Sequence, residues 1–516
     1  MKRVCIFVFF DKDGIVDNYI LFLLEKLKPY FEKLLVVSNG LLDNCNKQRL
    51  LRFSDILVER ENKGFDFGAW KQIIFSNRFG IRFLEKFDEI FFINDTFYGP
   101  ICGLDDVFED FDKSTCDIWG LTRFGETMEG NTLYPPFIQT YFWACKRKIF
   151  SDETFWKFWE SIDENVTDFS IVCKYEKELS RLFTNANYTI KTYIDSSDYE
   201  FSTNLVCNRI AFNRAIDKYE LYTLIQRGFP FIKRKNFFYD NSKIQEMKLG
   251  EDLRRVINYV NEKHLYDISL IFENVLRISH PNAIVQNLHL NFVINSISSN
   301  SISEISDVLL IFQINDYDHW NLVKDRIEET RYKYILFIKD FQLFKKLKNE
   351  KKCCFKSNGI EHDISHVRDI IPCMKYICCV TDIEHLKDNN FLYTSYTKLL
   401  VNSLVKNDFY IDNIVKTFEE NPYLGILYPQ WDINLHHIER NSRQNRQYGF
   451  WIKTEILCKV ILKYKKEKRR LRKWNGLERL FYEIDRCLRD CSKCYGTVTT
   501  DEFASILITN CTNTIV

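Results

Sequence analysis

Asp66 stands in ENKGFDFGAWKQ, bracketed by Gly64 and Gly68, with Asn62 just upstream. A carboxylate beside helix-end amides can accept a sugar or ribose hydroxyl, and the glycines permit close approach to the backbone. An Asp capping the helix FGAWKQIIF explains the same spacing without a ligand, with Phe67 and Trp70 anchoring the element in the core. Asn94, Asp95 and Thr96 follow the apolar run Ile90–Ile93 in DEIFFINDTFYGPI. An acid there can hold Mg²⁺ or Mn²⁺ against a departing diphosphate, because these cations take hard oxygen ligands; a turn-stabilising Asx residue is the plain alternative. Glu176, read at the start of a helix in FSIVCKYEKELSRLF, can act as general base or simply answer the helix dipole. Lys233 and Arg234 in GFPFIKRK suit an anionic ligand or solvation.

A competing chemistry is written into the opening. VFFDKDGIVDN resembles the D-x-D-G signature of haloacid-dehalogenase-like phosphohydrolases, and LLVVSNG fits their second motif. In that reaction Asp11 attacks phosphorus, Asp13 serves as acid and base, and Ser38 binds the phosphoryl group. Those enzymes need further acids after a later strand, whereas Asp95 is followed by Gly99. A metal-dependent phosphohydrolase using Asp11 and Asp13 therefore stands as the alternative.

These residues all sit where apolar runs end. RVCIFVFF, LLVVSNG, DILVERE, EIFFIND and DIWGLT alternate with amphipathic stretches such as NYILFLLEKLKPYFEK. Short strands alternating with longer helices predict a mainly parallel sheet covered on both faces, whose ligands lie at the carboxyl ends of the strands. NLHLNFVINS, VLLIFQIND, YKYILFIKD and YICCVTD repeat the pattern later, and EIFFIND and LLIFQIND share a shape that suggests internal duplication. The expected division is an α/β domain over 1–242, a helical connector over 243–282, a second α/β domain over 283–452 and a helical tail over 453–516.

Composition narrows the class. With 516 residues, 46% of them hydrophobic, the chain is large enough for two or three packed cores. Its 72 basic and 71 acidic residues nearly cancel, which disfavours a nucleic-acid partner. No stretch is apolar enough to span a membrane, and MKRVCIFVFFDKDG reads as a first strand rather than a signal peptide, so a cytoplasmic protein is expected. The 17 cysteines read as reduced, packed thiols. The Cys487, Cys491 and Cys494 spacing fits a helical stripe better than an iron–sulfur site.

ENKGFDFGAWKQ, INDTFYGPI, DIWGLT, QTYFWACKRKIF and GFPFIKR, in this order, resemble the rhamnan synthesis protein F family, glycosyltransferase-like proteins of bacterial surface polysaccharide assembly. The resemblance covers Lys2 to about Asn236, opening stretch included. It implies a GT-A-like nucleotide-sugar fold and transfer of a deoxysugar, typically rhamnose from dTDP-rhamnose, to a lipid-linked glycan. On that footing Asp11, Asn62, Gly64, Asp66, Asn94, Asp95, Thr96, Lys233 and Arg234 lie by the donor, Asp95 carries a divalent cation, and Glu176 is the base. The second α/β domain departs from the family pattern at IKDFQLF and is expected to be degenerate. Eight Lys or Arg between Lys463 and Lys473, followed by Trp474, predict a basic 463–474 segment resting on an anionic inner leaflet. A solvated helix face is the plain reading of that segment, and a non-catalytic assembly protein is a further alternative for the whole chain.

Overall fold

The computed structural model describes residues 1–124, 127–129, 132–166, 169–194, 221–238, 252–279, 281–297, 307–351, 353–357, 363, 373–430, 448–466 and 476–500. The chain is a mixed α/β protein of two compact units, Met1–Asn274 and Val275–Val516.

The first unit contains β1 (Arg3–Phe9), β2 (Lys33–Ser38), β3 (Ile56–Glu59), β4 (Glu89–Asn94), β5 (Phe97–Tyr98), β6 (Ile118–Phe124), β7 (Thr127–Glu129), β8 (Thr132–Tyr134), β9 (Phe137–Ile138), β10 (Phe142–Lys146), β11 (Ile190–Ile194) and β12 (Ile232–Lys233). Its main sheet runs β11-β6-β10-β4-β1-β2-β3. β10 is antiparallel to both neighbours, and the other pairings along this path are parallel. Every residue of β1 and β4 is buried, because helices cover both faces; that is why these strands read as unbroken apolar runs. One face is filled by Phe67, Trp70, Phe92, Trp143 and Trp159, with Phe92 stacked on Trp143.

The second unit contains β13 (Asn291–Ile294), β14 (Val308–Ile314), β15 (Lys333–Ile338), β16 (Cys354–Lys356), β17 (Tyr376–Val380), β18 (Leu424–Pro429), β19 (Gly449–Lys453) and β20 (Cys494–Thr500), in the order β13-β20-β18-β19-β17-β14-β15-β16. Here β19 alone is antiparallel to its neighbours.

Two boundaries differ from the sequence expectation. Helix Ser269–Ile278 starts inside the first unit, where Asn274 accepts a hydrogen bond from the Tyr98 hydroxyl at 2.6 Å, so part of the 243–282 stretch packs as domain rather than connector. The segment from Lys453 is not a helical tail: after helices Thr454–Lys466 and Gly476–Asp490, β20 enters the sheet between β13 and β18. CYGTVTT hides this strand, since its Cys and Gly blur the alternation that would announce it. Of the triplet read as a helical stripe, only Cys487 lies in the helix, buried beside Ile484 and Leu488; Cys491 follows the helix end and Cys494 begins β20, because the chain leaves the helix for the sheet at this point.

The two sheets are the same sheet. Setting β14, β15, β16, β17, β19, β18 and β20 on β1, β2, β3, β4, β10, β6 and β11 reproduces order and direction throughout. Register agrees as well: Arg3 pairs with Glu89 as Val308 pairs with Tyr376, and Val4 with Lys33 as Leu309 with Lys333. Loop hydrogen bonds also repeat. Asn94 N donates to Tyr141 O at 3.0 Å and Thr381 N to Tyr448 O at 2.8 Å; Asn39 N donates to Phe9 O at 2.9 Å and Lys339 N to Ile314 O at 2.8 Å. The equivalent of EIFFIND is therefore YICCVTD, and Asp95 corresponds to Asp382. LLIFQIND instead corresponds to the β1 run that ends at Asp11, so the likeness noted in sequence matched non-equivalent strands.

Candidate active site

The carboxyl ends of β1, β2, β3 and β4 converge on the stretch between β3 and the following helix, Phe65–Ile74. Gly64 enters that helix in the left-handed region at φ 66°, where a side chain is strained. A Cβ on Gly64 would lie 3.0 Å from the Glu164 Cα, and one on Gly68 would lie 2.3 Å from the Lys63 carbonyl oxygen. The space left by both glycines is taken by the chain itself, so Gly64 serves a backbone crossing rather than a donor. Arg60 holds the turn from below, donating to Asn39 Oδ1 at 2.6 Å and to Lys63 O at 2.7 Å. Trp70 Nε1 donates to Ile6 O at 3.2 Å and ties the helix to β1.

Asp66 is not the cap. Gly64 occupies the cap position and Asp66 lies in the first helical turn, half-buried. Its Oδ2 accepts from Asn94 Nδ2 at 2.8 Å, while Asn94 Oδ1 accepts from Thr96 Oγ1 at 2.7 Å. Asn94 thus joins the end of β4 to the helix start. Burial drives the Asp66 carboxyl up to about 6; the neighbouring Glu176 carboxylate adds to the rise, and the Asn94 amide and Phe67 N–H oppose it.

Glu176 arrives from helix Phe169–Asn185, well inside it rather than at its start, so the helix dipole does not account for it. Its Oε1 accepts from Thr140 N at 2.9 Å and Thr140 Oγ1 at 2.6 Å. Two carboxylates, each oriented by a neutral polar residue, therefore lie near enough for one to act electrostatically on the other. Thr140 follows β9 and is 2% exposed, and nothing in its local sequence announces the contact, since 36 residues separate the partners.

Asp95, 9% exposed, has a different partner: its carboxylate pairs with Arg234, Oδ2 to Nη1 at 2.7 Å, and the same nitrogen donates to the Asp95 carbonyl oxygen at 3.0 Å. Tyr19 Oη lies 3.4 Å from the same Oδ2, and the Phe10 N–H also bonds the carboxylate. Burial raises the Asp95 carboxyl, against the pull of Arg234. Asp95 Oδ2, one of the two oxygens a cation could take, is already held by a guanidinium. Among the described residues no group of three His, Cys, Asp or Glu is arranged to hold a metal ion.

Lys233 and Arg234 are delivered by β12, which pairs antiparallel with β5. Lys233 Nζ lies 3.4 Å from Thr96 Oγ1 and 3.2 Å above the Tyr141 ring, and Arg234 N donates to Thr96 O at 3.0 Å. Asp11 sits in a turn of its own, its Oδ1 accepting from Asp13 N and Ile15 N at 3.0 Å each. Ser38 is 2% exposed and donates to Gly40 O at 2.7 Å. The Asn62 Oδ1 is buried with no hydrogen-bond partner among the described residues.

The family model described as rhamnan synthesis protein F matches residues 34–447. The chain belongs to the rhamnan synthesis protein F family. The chain is 24% identical over 200 residues to the uncharacterized protein y4gN of Sinorhizobium fredii, covering 38% of this chain and 49% of that protein. It thus spans about half the length of that relative. It is 25% identical over 298 residues to virulence protein VirA of Vibrio anguillarum, covering 51% of this chain and 91% of VirA. Among solved structures, the glycosyltransferase GlyE of Streptococcus pneumoniae matches at 14% identity and a TM-score of 0.28, over 73% of this chain and 86% of GlyE. The Mn/GDP form of core-mannan synthase A from Aspergillus fumigatus matches at 7% identity and a TM-score of 0.23, over 37% of this chain and 73% of that one. At these TM-scores neither likeness carries weight for the chemistry. Among the described residues no helix is long and apolar enough to cross a membrane. The basic 463–474 segment falls outside the described side chains.

Proposed function

We propose that the first unit has a GT-A-like active site that transfers a sugar, rhamnose or another deoxysugar, from a nucleotide-sugar donor such as dTDP-rhamnose to a lipid-linked or growing surface polysaccharide. The observation that carries this reading is the interacting Asp66–Glu176 pair, with Asp66 linked through Asn94 and Thr96 to the Lys233 ammonium. Glycosyl transfer needs a base for the acceptor hydroxyl and positive charge for the departing diphosphate. Asp66, raised toward neutrality, is half ionised at about pH 6 and takes the acceptor proton on a carboxylate oxygen. The base role thus falls to Asp66, with Glu176 beside it holding the negative charge that tunes it. Lys233, at the Thr96 hydroxyl, supplies the charge on the leaving-group side.

The decisive experiment is a thermal-shift panel of nucleotide sugars on the full chain, followed by transfer from whichever donor stabilises it. Stabilisation by inorganic phosphate equal to that by every nucleotide sugar overturns the reading. Thr140→Val removes the hydroxyl from Glu176 while the backbone N–H remains, and is expected to slow transfer roughly tenfold with little change in donor affinity. Asp11→Asn is expected to leave transfer within about threefold, because an amide oxygen can still close the Asp11 turn. Phosphate release from a simple phosphomonoester, lost in Asp11→Asn, would instead establish the phosphohydrolase. The anionic-leaflet role of the 463–474 segment belongs to the same reading, and co-sedimentation with anionic but not neutral vesicles tests it.

A further inference from the structure

We infer that Arg234 stands where a divalent cation would otherwise sit, so that the donor's diphosphate is met by organic cations and its binding needs no metal. This rests on the donor reading above. The Asp95 Oδ2 is occupied by Arg234 at 2.7 Å and approached by Tyr19 at 3.4 Å, and Asp95 as a whole is buried. A cation seeking that oxygen would have to expel a guanidinium already paired with it at 2.7 Å, leaving a buried charge unpaired. Mg²⁺ and Mn²⁺ also need several further oxygens.

Charge bookkeeping gives the same answer. One carboxylate with a divalent cation leaves a single net positive charge; Asp95 with Arg234 and Lys233 leaves the same net charge at the same loop. The strand-end acid has become an anchor for basic side chains rather than a ligand.

The second unit reached an equivalent state by a different route. At the register position of Asp95 stands Asp382, 6% exposed, its Oδ2 held by Lys387 Nζ at 2.8 Å and its Oδ1 accepting from the Tyr393 hydroxyl at 2.8 Å. Lys387 also pairs with Asp316, the register equivalent of Asp11. Arg234 follows β12, whereas Lys387 follows the short turn Glu384–Leu386 just past β17, so the two basic groups are not equivalent in the repeat. The same acid is neutralised twice, by unrelated parts of the chain.

The test uses the full chain with UDP, GDP, dTDP and their sugars, with binding measured in EDTA and again in Mn²⁺. The affinity of the best nucleotide is expected to agree within about twofold between the two conditions. A gain of about tenfold or more in Mn²⁺ overturns the inference while leaving the donor reading intact. If no nucleotide binds under either condition, the donor reading falls and this inference falls with it. A second measurement needs no nucleotide. Mn²⁺ alone is expected to leave the unmodified chain's melting unchanged but to stabilise Arg234→Ala, in which the Asp95 carboxylate is released. Saturable Mn²⁺ stabilisation of the unmodified chain that disappears in Asp95→Asn overturns the inference, and that comparison stands even if Arg234→Ala does not fold.

Discussion

Asp66→Asn is expected to cut sugar transfer by ~10²–10⁴-fold while making the protein more stable at neutral pH. The two effects have one cause. The folded protein raises the Asp66 carboxyl from 3.8 to about 6, chiefly by burial and then by Glu176. A folded pKa above the unfolded one means that the stability is fully present below the unfolded value and is lost as pH climbs through about 6. Ionising Asp66 at pH 7.5 therefore costs the fold on the order of 1–3 kcal/mol, a range that allows for partial solvent screening. Asparagine keeps an oxygen for the Asn94 amide but cannot ionise, so it escapes that cost and also cannot take a proton. Denaturation curves of the two proteins should converge below about pH 4, separate as pH rises from there to about 6 and keep a constant separation above it. Transfer by the unmodified enzyme should rise as pH climbs through about 6. A variant equally stable at both pH values would show that Asp66 is not perturbed, and a variant that still transfers sugar at full rate would remove it from the chemistry.

Gly68→Ala is expected to be the most damaging single methyl added to the first unit. The new Cβ would meet the Lys63 carbonyl oxygen at 2.3 Å, and that neighbour is backbone, which cannot swing aside. Moving it breaks the Arg60 bond to Lys63 O at 2.7 Å and disturbs the helix start that carries Asp66. A loss of ~3 kcal/mol or more follows from overpacking and the broken bond together. Gly40→Ala is the matched control, since its Cβ would lie 3.6 Å from Asp11 O, an ordinary contact. Urea denaturation should separate the two variants clearly; equal midpoints would show that the crossing at Gly68 is looser than the structure has it.

The sequence by itself determined a good deal. Unbroken apolar runs announced β1, β2 and β4, because a strand covered on both faces has no polar side to display. The polar residues at the ends of those runs, Asn94 and Asp95 among them, were legible as strand-end groups for the same reason, Asp66 was legible from the glycines around it, and Lys233 and Arg234 were singled out from their composition alone. The family blocks fall within the first unit. β20 was not legible, because CYGTVTT lacks a clean period and its place between β13 and β18 depends on partners far away in the chain.

Only the tertiary structure decided what each of those groups does. Asp95 and Asp66 both follow strands and both carry a carboxylate, yet one is paired with Arg234, 139 residues on, and the other faces Glu176. Gly64 and Gly68 looked like room for a ligand until Glu164 and Lys63 were seen to fill it. The duplication is likewise carried by register rather than by residue identity, which let EIFFIND be matched to the wrong strand. Local pattern follows from the period and burial of one segment, whereas a side chain's charge state and partner are set by what the fold brings within a few ångströms, and no stretch of sequence records that.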